Sequence, residues 1–265
     1  MKRIVYLLFI VNMAQSQAQA QSSKPIQLGQ TEELRSSTLG ESRKLNIYLP
    51  ESYKPSDTTR YPVVYLLDGG LDEDFIHVAG LIQFNTQPWV NRMPACILVG
   101  IANTDRKKDF TVGTEKFTKF LEEELKPYIA KQYKTRGPGT IIGESLGGLL
   151  LTNILLKKPG IFDKYIIISP SLWWENGATL KLPMPQIEKK TDIYIGVGKE
   201  GLTPGEPPHV MEVDANLLAE KIRNAKSTNI NSWFDYLPDE NHATIAHQAI
   251  INAFKIIFSG PKTTH

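Results

Sequence analysis

A serine flanked by glycines is the residue in this chain best suited to nucleophilic chemistry. Residues 141–151 read IIGESLGGLLL, so Ser145 lies at the centre of a G-x-S-x-G pattern. In many enzymes that transfer acyl groups, such a serine attacks a carbonyl carbon from a tight turn between a strand and a helix. A serine in an ordinary glycine turn has the same pattern, so the flanking sequence must decide between the two.

The flanking residues favour a nucleophile. Residues 140–142 are typical of a short strand, and residues 146–156 are apolar nearly all round, which predicts a buried helix. A helix that turns back so closely against a strand needs small residues two positions before and two positions after the serine. Gly143 and Gly147 occupy these positions. We therefore predict that Ser145 is the nucleophile of an acyl-transfer reaction.

A general base must take the proton from such a serine, and histidine is the usual one. In this type of site the histidine follows both the serine and an acid in the chain. His242 lies in the loop DENH, between the last predicted strand and the last predicted helix, which is the expected position. The other histidines precede the serine, or lie in a proline-rich loop, in the final helix or in the tail: His77, His209, His247 and His265. His242 is therefore the predicted base.

The acid that orients the histidine has more than one candidate. Glu200 comes directly after the strand-like run IYIGV, whereas Asp214 lies about one helical turn into the next segment. We expect Glu200 to be the third member of a triad, with Asp214 as the second choice. A serine–histidine pair that works without a strict third member is the remaining alternative.

Two backbone N–H groups are expected to stabilise the oxyanion that forms during acyl transfer. One usually belongs to the residue after the nucleophile, here Leu146, and the other to the loop after an earlier strand. The run DGGL at residues 68–71 occupies that loop, and its glycines allow close approach of a substrate. Gly70 is the first candidate, followed by Gly69 and Leu71. A plain glycine turn is the alternative.

Side chains that are candidates for substrate binding follow two other predicted strands. Trp173 and Trp174, in the run SPSLWW, would line a site for an aromatic or sugar group, although they would serve equally well as core anchors. Arg106 follows the run ACILVGI and would hold an anionic or polar group, or else lie solvated at the surface. We predict that all three contact the substrate.

The sequence predicts neither a cofactor nor a metal. Residues 196–201 match G-x-G-x-x-G, but the prolines of residues 204–208 follow at once and exclude the helix that a dinucleotide site requires. No group of cysteines and histidines has the spacing of zinc ligands. Cys96 is the only cysteine, so it has no internal disulfide partner, and its apolar surroundings predict a buried thiol.

Apolar runs of strand length alternate with helical patterns along most of the chain. This alternation predicts an α/β protein with a mostly parallel central sheet and helices on both faces. The predicted strands are residues 44–49, 61–67, 95–101, 140–142, 165–169, 193–197 and 232–237. The predicted helices are residues 114–132, 146–156, 211–223 and 243–258. Residues 71–92 and 175–190 are the segments expected to cover the site.

The first 20 residues differ from the rest of the chain. Lys2 and Arg3 precede the apolar run IVYLLFIV, and the A-x-A sequence of residues 18–20 resembles a signal-peptidase site. The apolar run is much shorter than the ~20 residues that a membrane-spanning helix needs. We predict a secretory signal peptide over residues 1–20, cleaved after Ala20, and a single domain over residues 21–265 in the periplasm or outside the cell.

Composition and charge argue against nucleic-acid and membrane partners. With 41% hydrophobic and 22% charged residues, the chain has a globular composition. Loss of Lys2 and Arg3 would lower the 30 basic residues to 28, which equals the 28 acidic residues. A formally neutral mature chain is not expected to bind nucleic acid or an anionic membrane surface. The expected partner is a small-molecule substrate.

Several motifs together carry a resemblance to a known family. The runs YPVVYLLDGG, GESLGGL and FDKYIIISPSLWW, the segment from Arg106 to Thr111 and the late NHA loop resemble the putative esterase family. This group includes enterochelin esterases and their periplasmic relatives, and more distantly feruloyl esterases and the antigen 85 mycolyltransferases. The resemblance, which spans about residues 40–258, implies an α/β-hydrolase fold and a serine esterase without cofactor, with Ser145 and His242 as nucleophile and base. Many members have a histidine where this chain has Glu144.

We therefore expect a secreted or periplasmic serine esterase that hydrolyses carboxylic esters, with a catecholate siderophore as a candidate substrate. A feruloyl or acetyl esterase that acts on decorated polysaccharide is the alternative, because SPSLWW would suit an aromatic acyl group. The alternative from another class is a hydrolase-like binding protein without activity, which the presence of Ser145, His242 and the glycine loop disfavours.

Overall fold

The computed structural model describes residues 24–204 and 207–258 of the chain. The predicted signal peptide and His265 lie outside the described residues. An eight-stranded sheet forms the centre of the described part. Its strands are β1 Gln30–Ser36, β2 Glu41–Tyr48, β3 Tyr61–Leu66, β4 Ile97–Ile101, β5 Thr135–Glu144, β6 Lys164–Ile168, β7 Thr191–Gly198 and β8 Ile230–Leu237.

The sheet is mostly parallel, which confirms the prediction from sequence. The strand order is β1-β2-β4-β3-β5-β6-β7-β8. The strands β4, β3, β5, β6, β7 and β8 pair in parallel, whereas β1 and β2 extend the sheet in antiparallel pairing. Because parallel strands end at the same edge of a sheet, the loops after β3, β5, β6, β7 and β8 meet there. Ligands of open α/β sheets bind at that edge.

Helices connect the parallel strands. They are α1 Phe75–Thr86, α2 Arg106–Phe110, α3 Thr114–Lys119, α4 Lys126–Gln132, α5 Leu146–Lys157, α6 Trp174–Gly177, α7 Met211–Asn224 and α8 Ile245–Ile257. A π-helix, Phe120–Leu125, joins α3 to α4, so the helix predicted over 114–132 is one helical segment with a π turn in its middle. Within residues 24–204 and 207–258, no helix is both long and apolar enough to cross a membrane.

Apolar side chains of each central strand point alternately to the two faces of the sheet. On β3, Val63 and Tyr65 belong to the core beneath α3, α4, α5 and α7, whereas Val64 and Leu66 belong to the core beneath α1 and α8. Burial of one such side chain stabilises the fold by about 1.5–3 kcal/mol. Cys96 lies in the core beneath α1 and α8, where burial raises the pKa of its thiol to about 12.

Several elements differ from the sequence-based expectation, and β1 has no counterpart among the predicted strands. β5 begins at Thr135 instead of residue 140, because its RGPG run looks like a turn but forms an irregular strand with Gly137 and Gly139 at positive φ. In the segment expected to cover the site, α1 buries Phe75 and Ile82 against the sheet. This part of the segment is therefore a layer of the fold.

Candidate active site

Ser145 lies in a sharp turn between β5 and α5. Its φ of 57° and ψ of −117° fall in a region that a non-glycine residue adopts at a cost of about 1–3 kcal/mol. Three backbone hydrogen bonds hold the turn. The Ser145 N–H donates to Ile168 O at 3.0 Å, and the Ser145 carbonyl accepts from Leu149 N–H and Ser171 N–H, both at 3.0 Å. The side chain of Ser145 is thus presented at the sheet edge where the strands end.

Close packing requires a glycine at position 143, whereas a Cβ atom on Gly147 would lie no closer than 3.4 Å to its nearest neighbour, Leu67 Cδ1. A Cβ atom on Gly143 would lie 2.8 Å from the carbonyl carbon of Gly147 and 3.0 Å from Leu67 Cδ1. Real Cβ atoms do not approach backbone so closely, so any side chain at Gly143 would force the strand and the helix apart. Gly143 therefore has the structural role expected of it, since the backbone of Gly147 occupies the space that its side chain would need.

The structure brings Ser145, His242 and Glu200 together in one chain of hydrogen bonds. Ser145 Oγ lies 3.0 Å from His242 Nε2, and His242 Nδ1 lies 2.6 Å from Glu200 Oε2. The side chain of Glu200 is only 2% exposed, whereas that of His242 is 47% exposed. A buried acid, an accessible base and a serine hydroxyl in this order can deliver an activated oxygen to a carbonyl carbon.

Asp214, the second candidate for the acid, lies elsewhere. Its carboxylate contacts His209, whose Nδ1 is 2.9 Å from Asp214 Oδ2, and His209 Nε2 lies 3.2 Å from Asn176 Oδ1. His77 and His247 pair with each other, with Nε2 and Nδ1 2.6 Å apart. In the part of the chain that the structure describes, His242 is thus the histidine that contacts Ser145.

Glu200 and His242 shift each other's protonation. The hydrogen bond to Glu200 raises the pKa of His242 above 6.5, although burial opposes this. Burial acts to raise the pKa of Glu200, but hydrogen bonds from His242 and Ser169 outweigh it and hold that pKa below 4.5. Both effects favour an ionised Glu200 and a basic His242. Burial also raises the pKa of Glu144, the residue before the nucleophile, to about 7.

The candidate oxyanion donors differ in availability. Leu146 begins α5, where backbone N–H groups have no intrahelical acceptor. The Gly69 N–H donates to Ile101 O at 2.9 Å, so it is already used in the structure. The Gly70 N–H donates to the carboxylate of Glu73 at 2.6 Å. Within the described residues the Leu71 N–H has no acceptor.

Glu73 is a residue near the site that the sequence did not single out. One carboxylate oxygen accepts from the Gly70 N–H, and the other accepts from Asn103 Nδ2 at 2.7 Å. Asn103, which follows β4, also donates to Asp68 at 2.6 Å, so the three side chains form one cluster between the loops after β3 and β4. The only signal in the sequence is that Glu73 closely follows the two glycines. An oxyanion that uses Gly70 must therefore displace this carboxylate.

Arg106 is paired with a carboxylate in the structure, and 34% of its side chain remains exposed. Its Nε and Nη2 atoms donate to the two carboxylate oxygens of Asp68 at 2.6 and 3.0 Å. Nη2 also lies 3.3 Å from the carbonyl oxygen of Glu144. A bidentate pair of this kind has fixed geometry. Arg106 thus ties the loop after β3 to the residue that precedes Ser145.

Trp173 and Trp174 lie at the start of α6, in the loop region that follows β6. The two rings are 5.9 Å apart between centroids, and Lys107 Nζ lies 5.4 Å from the centre of the Trp174 ring. Trp174 lines a cavity of about 270 Å³ whose other walls include Leu149 and Thr111. Ser145 does not line this cavity. Leu149, which does, follows Ser145 by one helical turn. Trp174 therefore borders a cavity that shares helix α5 with the site.

Two further hydroxyl groups reach the triad. Ser169 Oγ donates to Glu200 Oε1, and Ser171 Oγ lies 3.1 Å from Ser145 Oγ. Both serines belong to the SPSLWW run, in which only the tryptophans stood out in the sequence. The signal that could have identified them is their place directly after β6, the neighbour of β5 in the sheet.

The chain is similar to known proteins in both sequence and fold. The family profile described as Putative esterase matches residues 36–242. The chain is 31% identical over 264 residues to the ferri-bacillibactin esterase BesA of Bacillus subtilis (strain 168), with 85% of this chain and 88% of BesA covered. These matches confirm the family resemblance noted in the sequence.

Solved structures with the same architecture include an IroE-like serine hydrolase from Shewanella oneidensis. It superposes with a TM-score of 0.75 at 28% identity, covering 87% of this chain and 80% of that chain. The BES protein from Bacillus cereus superposes with a TM-score of 0.76 at 25% identity, covering 91% and 99%. The α/β-hydrolase fold implied by the sequence resemblance is thereby confirmed.

Proposed function

The chain belongs to the Putative esterase family and is a carboxylic ester hydrolase, and from this premise we propose that Ser145, His242 and Glu200 carry out the hydrolysis. One observation carries the assignment of these three residues. It is the unbroken chain of hydrogen bonds from Ser145 Oγ through the His242 ring to the buried Glu200. Such a chain both removes the serine proton and stabilises the imidazolium that results.

In the first step His242 Nε2 takes the proton of Ser145 while the oxygen attacks the ester carbonyl carbon. The carbonyl electron pair moves to oxygen, and His242 then gives the proton to the departing alcohol. Glu200 holds the Nδ1–H throughout. A water molecule next attacks the acyl-enzyme in the same manner, with His242 as base, and releases the acid and the free serine.

The oxyanion is stabilised by Leu146 N–H and by an N–H of the loop after β3, for which Gly70 is the proposed donor. One such donor contributes about 10²–10³-fold to kcat in other hydrolases. In the structure, Glu73 holds the Gly70 N–H. A substrate carbonyl must replace a hydrogen bond to a charged group, which is typically worth about 1.5–3 kcal/mol.

Replacement of Glu73 by alanine is therefore expected to raise kcat/KM at least about tenfold, since ~1.5 kcal/mol or more of this cost is removed. The measurement is steady-state hydrolysis of p-nitrophenyl butyrate by the wild type and by Glu73→Ala. Asp72→Ala, a change of the exposed neighbouring carboxylate, serves as the matched control and should have little effect. A fall in kcat/KM for Glu73→Ala would instead assign the second donor to Leu71, with Glu73 holding the loop in place.

We propose a catecholate siderophore as the substrate. Support comes from the 31% identical relative, which is an esterase of ferri-bacillibactin, and from the resemblance to enterochelin esterases. The cavity beside Trp174 adds a physical reason, because an electron-rich ring could stack there beside the ammonium group of Lys107. Trp173 would extend this aromatic surface.

The substrate is tested with a panel of esters. We expect kcat/KM for a triscatecholate siderophore ester to exceed that for feruloyl and acetylated oligosaccharides at least about tenfold, by analogy with sites that recognise polar groups of the substrate. Trp174→Ala should lower the siderophore value about tenfold and leave that for p-nitrophenyl acetate nearly unchanged. A preference for the feruloyl or acetylated sugars would favour the polysaccharide esterase instead.

The location of the protein is also a proposal. We propose that residues 1–20 are a secretory signal peptide and that residues 21–265 form a single α/β-hydrolase domain in the periplasm or outside the cell. The basic start, short apolar run and A-x-A sequence support this. N-terminal sequencing of the exported protein should begin at Gln21; an N-terminus at Met1 would refute cleavage.

A further inference from the structure

The turn Ser169-Pro170-Ser171, directly after β6, places one hydroxyl group on each end of the triad. We propose that Ser171 is a catalytic residue that holds one lone pair of Ser145 Oγ, and that Ser169 is a positioning residue that fixes the carboxylate of Glu200. Both roles rest on the proposed serine mechanism. Neither serine is required by the three-residue mechanism described above.

The turn is rigidly held against the nucleophile. Ser169 is fully buried and has a φ of 40°, an unfavourable value for a non-glycine residue. Its N–H donates to Gly196 O at 2.8 Å, and the Ser171 N–H donates to Ser145 O at 3.0 Å. A Cβ atom on Gly148 would lie 2.9 Å from Pro170 Cα, so α5 packs directly on the turn. The two hydroxyl groups therefore have little freedom to move.

The protons in the site can be assigned from what each atom is able to donate. An ionised carboxylate only accepts hydrogen bonds, so His242 Nδ1, 2.6 Å from Glu200, must carry a proton. The other nitrogen of the neutral ring, Nε2, is then an acceptor, and Ser145 must donate to it. Ser145 has only this one proton. The 3.1 Å contact between the serine hydroxyls is therefore donated by Ser171.

Burial supports this direction of donation. Ser171 is 2% exposed, and in the described part of the chain its hydroxyl has no hydrogen-bond partner other than Ser145 Oγ. A buried hydroxyl proton without an acceptor is destabilising by about 1–3 kcal/mol. Ser171 thus donates to Ser145 in the free enzyme, and it keeps its proton throughout the reaction.

The consequence for catalysis is geometric. Ser145 Oγ carries two bonds and two lone pairs. One bond goes to Cβ and the other to the proton that points at His242, and one lone pair accepts the hydrogen bond from Ser171. One lone pair remains, and it is the pair that forms the bond to the carbonyl carbon. Without Ser171 the two lone pairs are equivalent, and the attacking orbital is no longer directed. A misplacement of this kind typically costs up to about 10²-fold in rate.

Ser169 acts on the other end of the triad. Its hydroxyl and the Gly198 N–H, at 3.2 Å, both donate to Glu200 Oε1. These two bonds leave Oε2 for His242 Nδ1 and prevent the carboxylate from rotating away. Ser169 therefore positions the acid without touching a reacting atom.

The test uses Ser171→Ala and Ser169→Ala in the full-length protein, with melting temperature as the check on folding. For Ser171→Ala we expect kcat/KM for p-nitrophenyl butyrate and the rate of Ser145 labelling by a fluorophosphonate to fall together, by about 10- to 100-fold. Ser171→Thr and Ser171→Val form a matched pair, since they differ only in the hydroxyl group. The threonine variant should be at least about tenfold more active.

For Ser169→Ala we expect a loss of kcat/KM of about tenfold in the wild-type background and no further loss in Glu200→Ala, because a residue that acts through Glu200 has nothing left to position. Equal activity of Ser171→Thr and Ser171→Val, or an unchanged labelling rate in Ser171→Ala, would overturn the role of Ser171. Additive losses for Ser169→Ala and Glu200→Ala would overturn that of Ser169. A wild type that neither hydrolyses esters nor reacts with the fluorophosphonate would refute the proposed function itself.

Discussion

The Ser145→Ala variant is expected to lose kcat/KM for p-nitrophenyl butyrate by about 10⁴-fold or more, because the atom that attacks the carbonyl is removed. The backbone should tolerate the change. Alanine has no more difficulty than serine with the positive φ at this position, and the N–H and carbonyl groups of Ser145 keep their hydrogen bonds. A residual rate from the oxyanion donors and from substrate binding is expected in such a variant.

A serine at the start of a strand, away from the edge of the sheet that carries the triad, provides the control for this experiment. Ser232 lies on β8, and its replacement by alanine should leave kcat/KM nearly unchanged. In the wild type, a fluorophosphonate should modify a single peptide, the one that contains Ser145, and Ser145→Ala should not be labelled. Full activity in Ser145→Ala would mean that another residue carries the nucleophile, and the assignment of the triad would be wrong.

The Glu200→Gln variant is expected to lose about 10⁴-fold in kcat, a loss known for the equivalent change of acid to amide in other serine hydrolases. The carboxylate accepts the proton on His242 Nδ1, whereas an amide can donate to that nitrogen and so favours the tautomer with its proton on Nε2. That tautomer cannot accept the proton of Ser145. Steady-state kinetics at several pH values measure the loss.

The same variant should shift the pH dependence of activity. His242 works as a base only when it is neutral, so wild-type kcat/KM should rise as pH increases through its raised pKa, above 6.5. The hydrogen bond to Glu200 is the largest cause of that elevation. Because glutamine carries no negative charge, the pKa of His242 should fall in Glu200→Gln, and the rise in activity should occur at lower pH.

Asp214→Asn is the matched control for this second prediction, because Asp214 is the other candidate for the acid of the triad. It contacts His209, so its replacement should leave both kcat and the pH dependence nearly unchanged. If Asp214→Asn causes the larger loss and Glu200→Gln the smaller one, Asp214 is the acid of the triad. If neither variant loses much activity, Ser145 and His242 work as a pair without a third member.

Local sequence patterns determined the fold class and much of the position of the site. A buried parallel strand needs apolar residues on both faces, and a helix that packs beside it needs a matching apolar stripe, so the alternation of strands and helices is visible in the chain itself. The turn around Ser145 was visible from its glycines, and at Gly143 the reason is that the backbone of Gly147 leaves no room for a Cβ atom. His242 followed from its place between the last strand and the last helix.

Tertiary structure decided which side chains become partners. Glu200 and Asp214 both follow β7, and only the path of the intervening loop brings the first to His242 and the second to His209. Arg106 looked available in the sequence, but the loop after β3 places Asp68 against it. Ser171 is 26 residues from Ser145, and His242 is 97 residues from it. Contacts across such separations depend on strand order and loop paths, which no local pattern of residues encodes.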